Sequence, residues 1–146
     1  MVIRCIGLFS GSRFRKPCFL GEGGTFKNLK TFFKNMTMKE VSEKSDLDVI
    51  LKQNKQVLAL FCSSWCPFCR SFFPTFNMGI TKHRFEKVIR VYLEEDDNPL
   101  WEEYSIEAVP TAILFEKGHV SRRLDARLGM GLGEKQFMEW LEKIKS

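Results

Sequence analysis

Residues 57–74 read Val-Leu-Ala-Leu-Phe-Cys-Ser-Ser-Trp-Cys-Pro-Phe-Cys-Arg-Ser-Phe-Phe-Pro, and this stretch decides the fold. The apolar run Val57–Phe61 predicts a buried strand, which the polar pair Ser63–Ser64 brings to an end. We expect a helix to begin at Cys66, because Pro67 suits a first helical turn, where its missing N–H would have had no partner. The stretch therefore predicts a strand that leads directly into a helix, with two cysteines at the start of that helix.

The spacing of Cys66 and Cys69 indicates redox chemistry. At a helix N-terminus, the unpaired backbone N–H groups and the helix dipole favour a thiolate over a thiol. Cys69 follows three residues later on the same helix face, so it can reach Cys66 and close a disulfide. The pair is typical of dithiol–disulfide exchange.

A metal site is the alternative for these cysteines. With Cys62, the spacing C-x3-C-x2-C could supply three thiolate ligands. However, His83 and His119 are distant in sequence. We expect a redox pair and no metal, with Cys62 acting as a small buried apolar residue.

Length, charge and cysteine usage exclude several classes of function. The 146 residues favour one domain with its own core. The net charge of +5 comes from residues 1–36, which hold seven basic side chains and one acidic one, whereas residues 37–146 hold 16 basic and 17 acidic side chains. We therefore expect no nucleic-acid partner, and the absence of a long apolar run predicts no membrane partner. An odd count of five cysteines with one tight pair argues against a secreted disulfide framework, and we expect a cytoplasmic protein.

Residues 1–36 lack any sustained periodicity, and we expect a basic, disordered N-terminal extension followed by a domain over residues 37–146. Arg4 interrupts the first apolar run, which argues against a secretory signal. Two other interpretations remain open, namely an organelle transit peptide and a translation start at Met36 or Met38.

The rest of the chain predicts the order β, α, β, α, β, α, β, β, α. Helical crossovers in the first half imply parallel strands, and the late hairpin implies antiparallel ones. Pro74 falls inside the second helix and should kink it. We expect an α/β fold in which a central mixed β-sheet is flanked by helices on both faces. The predicted elements are strand Lys39–Ser42, a helix from an N-cap at Asp46 to Asn54, strand Val57–Cys62, helix Cys66–Met78, strand Val88–Glu94, helix Pro99–Tyr104, strands Thr111–Phe115 and His119–Asp125, and helix Glu134–Ile144.

From about Lys39 to its C-terminus, the chain resembles the thioredoxin family. A lone C-x-x-C is weak evidence, but here Trp65–Cys69 follows an apolar strand and Pro74 comes five residues after the second cysteine. Val109-Pro110-Thr111 matches the family's cis-proline turn, 41 residues after Cys69, and Leu128-Gly129 matches its late glycine loop. The resemblance implies a thioredoxin fold.

The resemblance also implies a mechanism, that of a thiol–disulfide oxidoreductase. Cys66 would attack a substrate disulfide as an exposed thiolate, and Cys69 would resolve the mixed disulfide. The Cys66–Cys69 disulfide would serve without any other cofactor. The expected partners are disulfide-bearing protein substrates and an electron donor, either a reductase or a low-molecular-weight thiol, and the protein is expected to be a monomer. The residues expected to bind substrate are Trp65, Pro67, Phe68, Val109, Pro110 and Gly129, with the Val109 backbone offering strand-like hydrogen bonds.

The chain also departs from the family pattern. The family's buried Asp, six residues before the first cysteine, is Leu60 here, and its Lys partner falls at Val91 or Tyr92. Cys62 occupies the place of a second Trp, and Pro67-Phe68 is nearer to the Pro-aromatic pairs of glutaredoxins than to Gly-Pro. These departures imply a shifted reduction potential and slower release of partners. They keep open an alternative, a binding or redox-sensing module of the same fold with little turnover.

Overall fold

The computed structural model describes residues 38–145. The predicted extension over residues 1–36 lies outside this range, as do both alternatives for it. The described elements follow the predicted order. They are β1 (Lys39–Val41), α1 (Lys44–Gln53), β2 (Gln56–Cys62), α2 (Pro67–Lys82), β3 (Lys87–Tyr92), α3 (Leu100–Glu103), β4 (Thr111–Glu116), β5 (His119–Leu124) and α4 (Glu134–Lys145).

The five strands form one sheet in the order β1-β3-β2-β4-β5. Strands β1, β3 and β2 are parallel, whereas β4 runs antiparallel to β2 and β5 antiparallel to β4. β2 lies at the centre, and all its residues after Gln56 are buried. This confirms the predicted mixed sheet, and it places the end of the central strand next to the two cysteines.

Helices cover both faces of the sheet. On one face, alternate residues of β2 such as Ala59 and Phe61 join a core cluster with Leu47 and Ile50 of α1. The other face belongs to α2, because Arg90 of β3 packs its guanidinium 4.4 Å from the ring centre of Phe73. Leu60, in register with Arg90, shares that second face.

The predicted start of α1 is wrong, and α2 ends at Lys82, where the sequence leaves open either the end of this helix or a short turn. α1 begins at Lys44 and not after Asp46, and its N-cap Glu43 makes no side-chain capping bond. Asp46 instead lies in the first turn, where its carboxylate still complements the helix dipole. α2 continues to Lys82, beyond the predicted end at Met78, with Pro74 inside it. Tertiary packing of its second half outweighs the local helix-breaking effect of the proline.

The β4–β5 hairpin turns through Lys117 and Gly118, which both have positive φ, at 52° and 81°. Two positive φ values match the twist of a two-residue hairpin, which explains the glycine at the second position. Among residues 38–145, no helix combines the length and the apolar character needed to cross a bilayer.

Candidate active site

The loop between β2 and α2 positions the two cysteines. Cys66 is the N-cap of α2 and Pro67 is its first residue, as the sequence predicts. The Cys66 N–H donates to the Ser63 carbonyl at 3.4 Å, and the Cys66 carbonyl accepts the first helical bond from Arg70 at 3.3 Å. Ser64 anchors the loop to the end of β3, because its N–H and its hydroxyl donate to the Glu94 carboxylate at 2.9 and 2.8 Å.

The two thiols of the pair are free and adjacent. The Cys66 thiol donates to the Val109 carbonyl at 3.7 Å, which places residue 109 beside the pair. A hydrogen bond from Cys69 to the Cys66 sulfur favours the protonated form of Cys69. This hydrogen bond joins the two thiols of the pair and helps Cys69 to keep its proton.

Cys66 is less exposed than an attacking thiolate was expected to be. The residue is 4% exposed, and Cys69 is fully buried. The Val109 carbonyl lies against the Cys66 sulfur, which accounts for part of this cover. A partner's disulfide therefore has to come close to the rim of the site before it meets the sulfur.

Burial controls the titration of the other two thiols. Desolvation raises the pKa of Cys69 above its usual value, and Cys66 and Cys62 raise it further, whereas the backbone amide of Ser63 lowers it. Desolvation also raises the pKa of Cys62 to about 12, opposed by the Arg90 guanidinium. Cys62 is fully buried, in agreement with the apolar role expected for it.

The turn before β4 faces the dithiol. The peptide bond between Val109 and Pro110 is cis. Both residues are buried. Thr111, whose role the sequence did not indicate, is also buried, and its hydroxyl donates to the Ala108 carbonyl at 2.7 Å. This bond closes the turn and holds Val109 in place.

Exposed apolar side chains surround the pair. Trp65 is 56% exposed and Phe68 40%, while Leu128 and Met130 of the loop before α4 are 76% and 71% exposed. Large apolar groups left in water at one place are a sign of a binding surface. Trp65 and Phe68, two of the residues expected to bind substrate, belong to this exposed set.

The glycine loop meets the site through a different glycine from the expected one. Gly129 is exposed, and a Cβ added to it would meet no atom within 4 Å. Gly131 is buried against Phe68, where an added Cβ would lie 3.0 Å from the Phe68 Cβ. Gly131 also has a φ of 70°, so both its backbone and its surroundings favour glycine. The sequence alone could not distinguish the two glycines, because both follow an apolar residue in the same loop.

The buried Leu60 has a cation as its neighbour in the sheet. Its partner in register on β3 is Arg90, whereas the family resemblance placed the partner of the missing acid at Val91 or Tyr92. The Arg90 guanidinium lies 3.8 Å from the Glu40 carboxylate and 3.4 Å from the Asn77 side-chain oxygen. Leu60, which stands where the family has a buried Asp, is therefore apolar but lies beside the charged and polar side chains around Arg90.

The three cysteines are the alternative metal ligands that the sequence leaves open. Within residues 38–145, no group of three or more His, Cys, Asp or Glu side chains is placed to hold a metal ion. Cys62 is close enough to raise the pKa of Cys69, yet the three thiols do not form a ligand set.

Comparisons with known proteins agree with this geometry. The family model described as thioredoxin matches residues 37–141. The chain is 30% identical over 92 residues to thioredoxin from Mycoplasmoides gallisepticum, covering 63% of this chain and 88% of that protein. It is 32% identical over 104 residues to protein disulfide-isomerase A5 from Bos taurus, covering 69% of this chain and 19% of that much longer protein.

Solved structures share the fold. Reduced thioredoxin preprotein from Schistosoma mansoni matches with a TM-score of 0.59 at 24% identity, over 73% of this chain and 96% of that one. Thioredoxin from Plasmodium falciparum matches with a TM-score of 0.58 at 21% identity, over 73% of this chain and 98% of that one. At such identities the likeness concerns architecture.

Proposed function

The chain belongs to the thioredoxin family, and we propose that it is a thiol–disulfide oxidoreductase that exchanges disulfides with protein substrates through Cys66 and Cys69. The observation that carries this proposal is the placement of Cys66. It caps α2, receives the hydrogen bond of the Cys69 thiol and lies 3.7 Å from the Val109 carbonyl, at a rim that leaves Trp65 and Phe68 in water. A nucleophilic thiol with a resolving partner on a binding surface is what the exchange requires.

The reaction takes place in two balanced steps. The Cys66 thiolate attacks one sulfur of the substrate disulfide, a mixed disulfide forms, and the other substrate sulfur leaves with the electron pair and takes up a proton. Cys69 then attacks the Cys66 sulfur, so that the Cys66–Cys69 disulfide forms and the second substrate thiol departs. The substrate gains two electrons and the protein pair loses two. The two sulfurs carry these electrons, and the proposal requires no organic cofactor or metal.

The proposed partners follow from the same chemistry. Substrates are proteins with accessible disulfides, which the apolar rim contacts, and the oxidised pair is reduced again by a reductase or a low-molecular-weight thiol. We expect no role for nucleic acid or a membrane, because residues 37–146 carry no excess of basic charge. A monomer in the cytoplasm is the proposed setting, since an odd count of five cysteines with one tight pair argues against a secreted disulfide framework.

Replacement of the nucleophile tests the proposal directly. Reduction of insulin disulfides by the full chain, with a thiol as electron donor, should fall roughly 100-fold or more in Cys66→Ser, because serine cannot form the mixed disulfide. Cys62→Ala is the matched control, since it removes a thiol that is fully buried and that we expect to act as a small apolar residue. Equal insulin reduction by Cys66→Ser and the unchanged protein would refute the proposal.

Trapping separates a catalyst from a dedicated binding module. In Cys69→Ser the mixed disulfide cannot be resolved, so each partner stays attached to Cys66. A general oxidoreductase should accumulate many different mixed disulfides in a cell extract. Attachment to only one or two proteins, together with slow insulin reduction by the unchanged chain, would favour the module with little turnover.

A further inference from the structure

A buried hydroxyl next to the dithiol has no partner. Ser63 is fully buried, and its Oγ makes no hydrogen bond. Such groups are uncommon in folded proteins because burial removes their water without replacing it. An unpartnered hydroxyl at this place therefore calls for a functional explanation.

The backbone of Ser63 already contacts both cysteines. Its carbonyl accepts the N–H of Cys66 at 3.4 Å, and its amide hydrogen-bonds Cys69. The Ser63 hydroxyl oxygen is three bonds away from the Ser63 amide nitrogen. Rotation about the single side-chain torsion of Ser63 therefore changes the distance between this hydroxyl and the Cys69 sulfur. Ser63 thus carries a second donor close to Cys69, and its side-chain torsion decides whether this donor reaches the Cys69 sulfur.

Cys69 needs such a donor when it becomes charged. It is fully buried, and burial together with Cys66 and Cys62 raises its pKa. The charged groups nearby, Arg90, Glu94 and Glu40, act on Cys62. Leu60 supplies no acid or base on this side of the sheet.

We propose that the Ser63 hydroxyl donates a hydrogen bond to the Cys69 thiolate during resolution of the mixed disulfide, an inference that rests on the proposed function. In the dithiol state Cys69 is protonated and donates to Cys66, so its sulfur is a weak acceptor and the hydroxyl stays unpaired. Ionisation turns that sulfur into a strong acceptor. A bond that forms only with the charged nucleophile lowers the barrier without stabilising the resting state.

The step itself is balanced. Cys69 loses its proton, its sulfur bonds to Cys66, and the bond between Cys66 and the substrate sulfur breaks. The departing substrate thiolate takes up one proton, so no external oxidant or base is consumed. Ser63 keeps its own proton and only stabilises the charge.

Ser63→Ala tests the inference in the full chain with the chromogenic aromatic disulfide 5,5′-dithiobis(2-nitrobenzoate). Attack by Cys66 releases one coloured thiol, and resolution by Cys69 releases the second. The resolution phase is the part of the colour change that the unchanged protein shows and Cys69→Ser does not. We expect the pH midpoint of that phase to move up by about one unit, because a thiolate that loses a charge-assisted bond is harder to form. At a fixed pH below the midpoint the phase should slow about threefold, since the tenfold loss of thiolate is partly offset by its higher nucleophilicity. The first phase should not change.

Two further measurements keep the outcome decisive. In the reduced protein, a 13C NMR titration of the Cys69 Cβ should show its pKa raised in Ser63→Ala, and this readout needs no substrate. The denaturant midpoint of the variant should be equal to that of the unchanged protein or higher, because alanine removes an unpaired buried hydroxyl. Ser121→Ala is the control for the chemical change, because it removes an exposed hydroxyl of β5 that donates to the Glu116 carboxylate of β4, and it should alter neither phase.

The possible results separate the two claims. An unshifted resolution profile and Cys69 titration in Ser63→Ala would overturn the role of the hydroxyl and leave the oxidoreductase intact. Equal slowing of both phases with a lower denaturant midpoint would also overturn it, because the serine would then be structural only. If the unchanged protein releases no coloured thiol in either phase beyond Cys66→Ser, the proposed function fails, and the titration of Cys69 still decides whether the hydroxyl bonds its thiolate.

Discussion

The two halves of α2 differ in almost every physical respect. The first half, around Cys66 and Phe68, leaves an aromatic ring in water and lies beside the unpaired hydroxyl of Ser63. The second half, after Pro74, packs one face closely against α4. There the ring centres of Phe76 and of Phe137 in α4 lie 5.6 Å apart, and Phe72, two residues before Pro74, adds a contact of 5.1 Å to the same Phe137 ring.

This difference shows how the fold tolerates a costly site. An exposed ring and an unpartnered polar atom each reduce stability, and the first turn of a helix has little cooperativity of its own to oppose them. The aromatic cluster of α2 and α4 holds the helix from its other end, with Pro74 between the two halves. The first half can then keep an exposed aromatic ring and an unpartnered hydroxyl beside the dithiol while the helix stays folded.

Among the variants that test the difference between the two halves, Phe137→Ala should have the largest effect, and this effect should be on the free energy of unfolding. The ring is fully buried and contacts Phe72 and Phe76, so its removal leaves a cavity that should lower the free energy of unfolding by about 3–5 kcal/mol. The measurement is a denaturant titration followed by circular dichroism. Below the transition, the first phase of disulfide exchange should stay within about twofold of the unchanged protein, because Cys66 keeps its neighbours at the other end of the helix. A loss of exchange in the folded variant would show that the two halves are not independent.

Gly79→Ala should have the second-largest effect on stability, because its added methyl group crowds the contact between α2 and α4 instead of leaving a cavity. A Cβ at residue 79 would lie 2.6 Å from a ring carbon of Phe137 and 2.7 Å from a methyl carbon of Leu141. The Leu141 methyl can rotate away, but the Phe137 ring is enclosed, so we expect about 1–3 kcal/mol of destabilisation. Thr81→Ala, on the exposed side of the same turn, should change stability by less than about 0.5 kcal/mol. Equal midpoints for the two variants would mean that α2 and α4 do not approach this closely at Gly79.

How far the sequence predicts each half depends on how local the signal is. The proline after Cys66, the C-x-x-C spacing and the apolar spacing of Phe137, Trp140, Leu141 and Ile144 are local signals. The placement of Cys66 at the start of α2 and of Phe137 in the core could therefore be predicted. The close contact at Gly79 joins two helices far apart in the chain, and no periodicity reveals it. The same holds for the contact of Gly131 with Phe68, because the family resemblance indicated Gly129 as the loop glycine at the site. Ser63 belongs to this class too, because only the packed structure shows that its hydroxyl is buried without a partner.

Phe68→Ala should have the smallest effect on stability and should act on recognition. The ring is 40% exposed, so its loss should change the free energy of unfolding by less than about 1 kcal/mol. It also forms one wall of a groove of about 120 Å³ between α2 and the loop at Gly131, lined in addition by Ser71, Phe72, Thr75, Met130 and Leu132.

A protein substrate should detect that loss, whereas a small disulfide should not. We expect kcat/KM for insulin disulfides to fall roughly 3- to 30-fold, in line with the energy of an aromatic contact at an interface, while the first phase with the aromatic disulfide stays within about twofold. Met78→Ala is the matched control, since Met78 is 41% exposed on the same helix but in its packed half. If Met78→Ala lowered insulin reduction as much as Phe68→Ala, partners would contact the whole length of α2. The division of the helix into a recognition half and a packed half would then be wrong, because a side chain in the packed half would also contribute to binding.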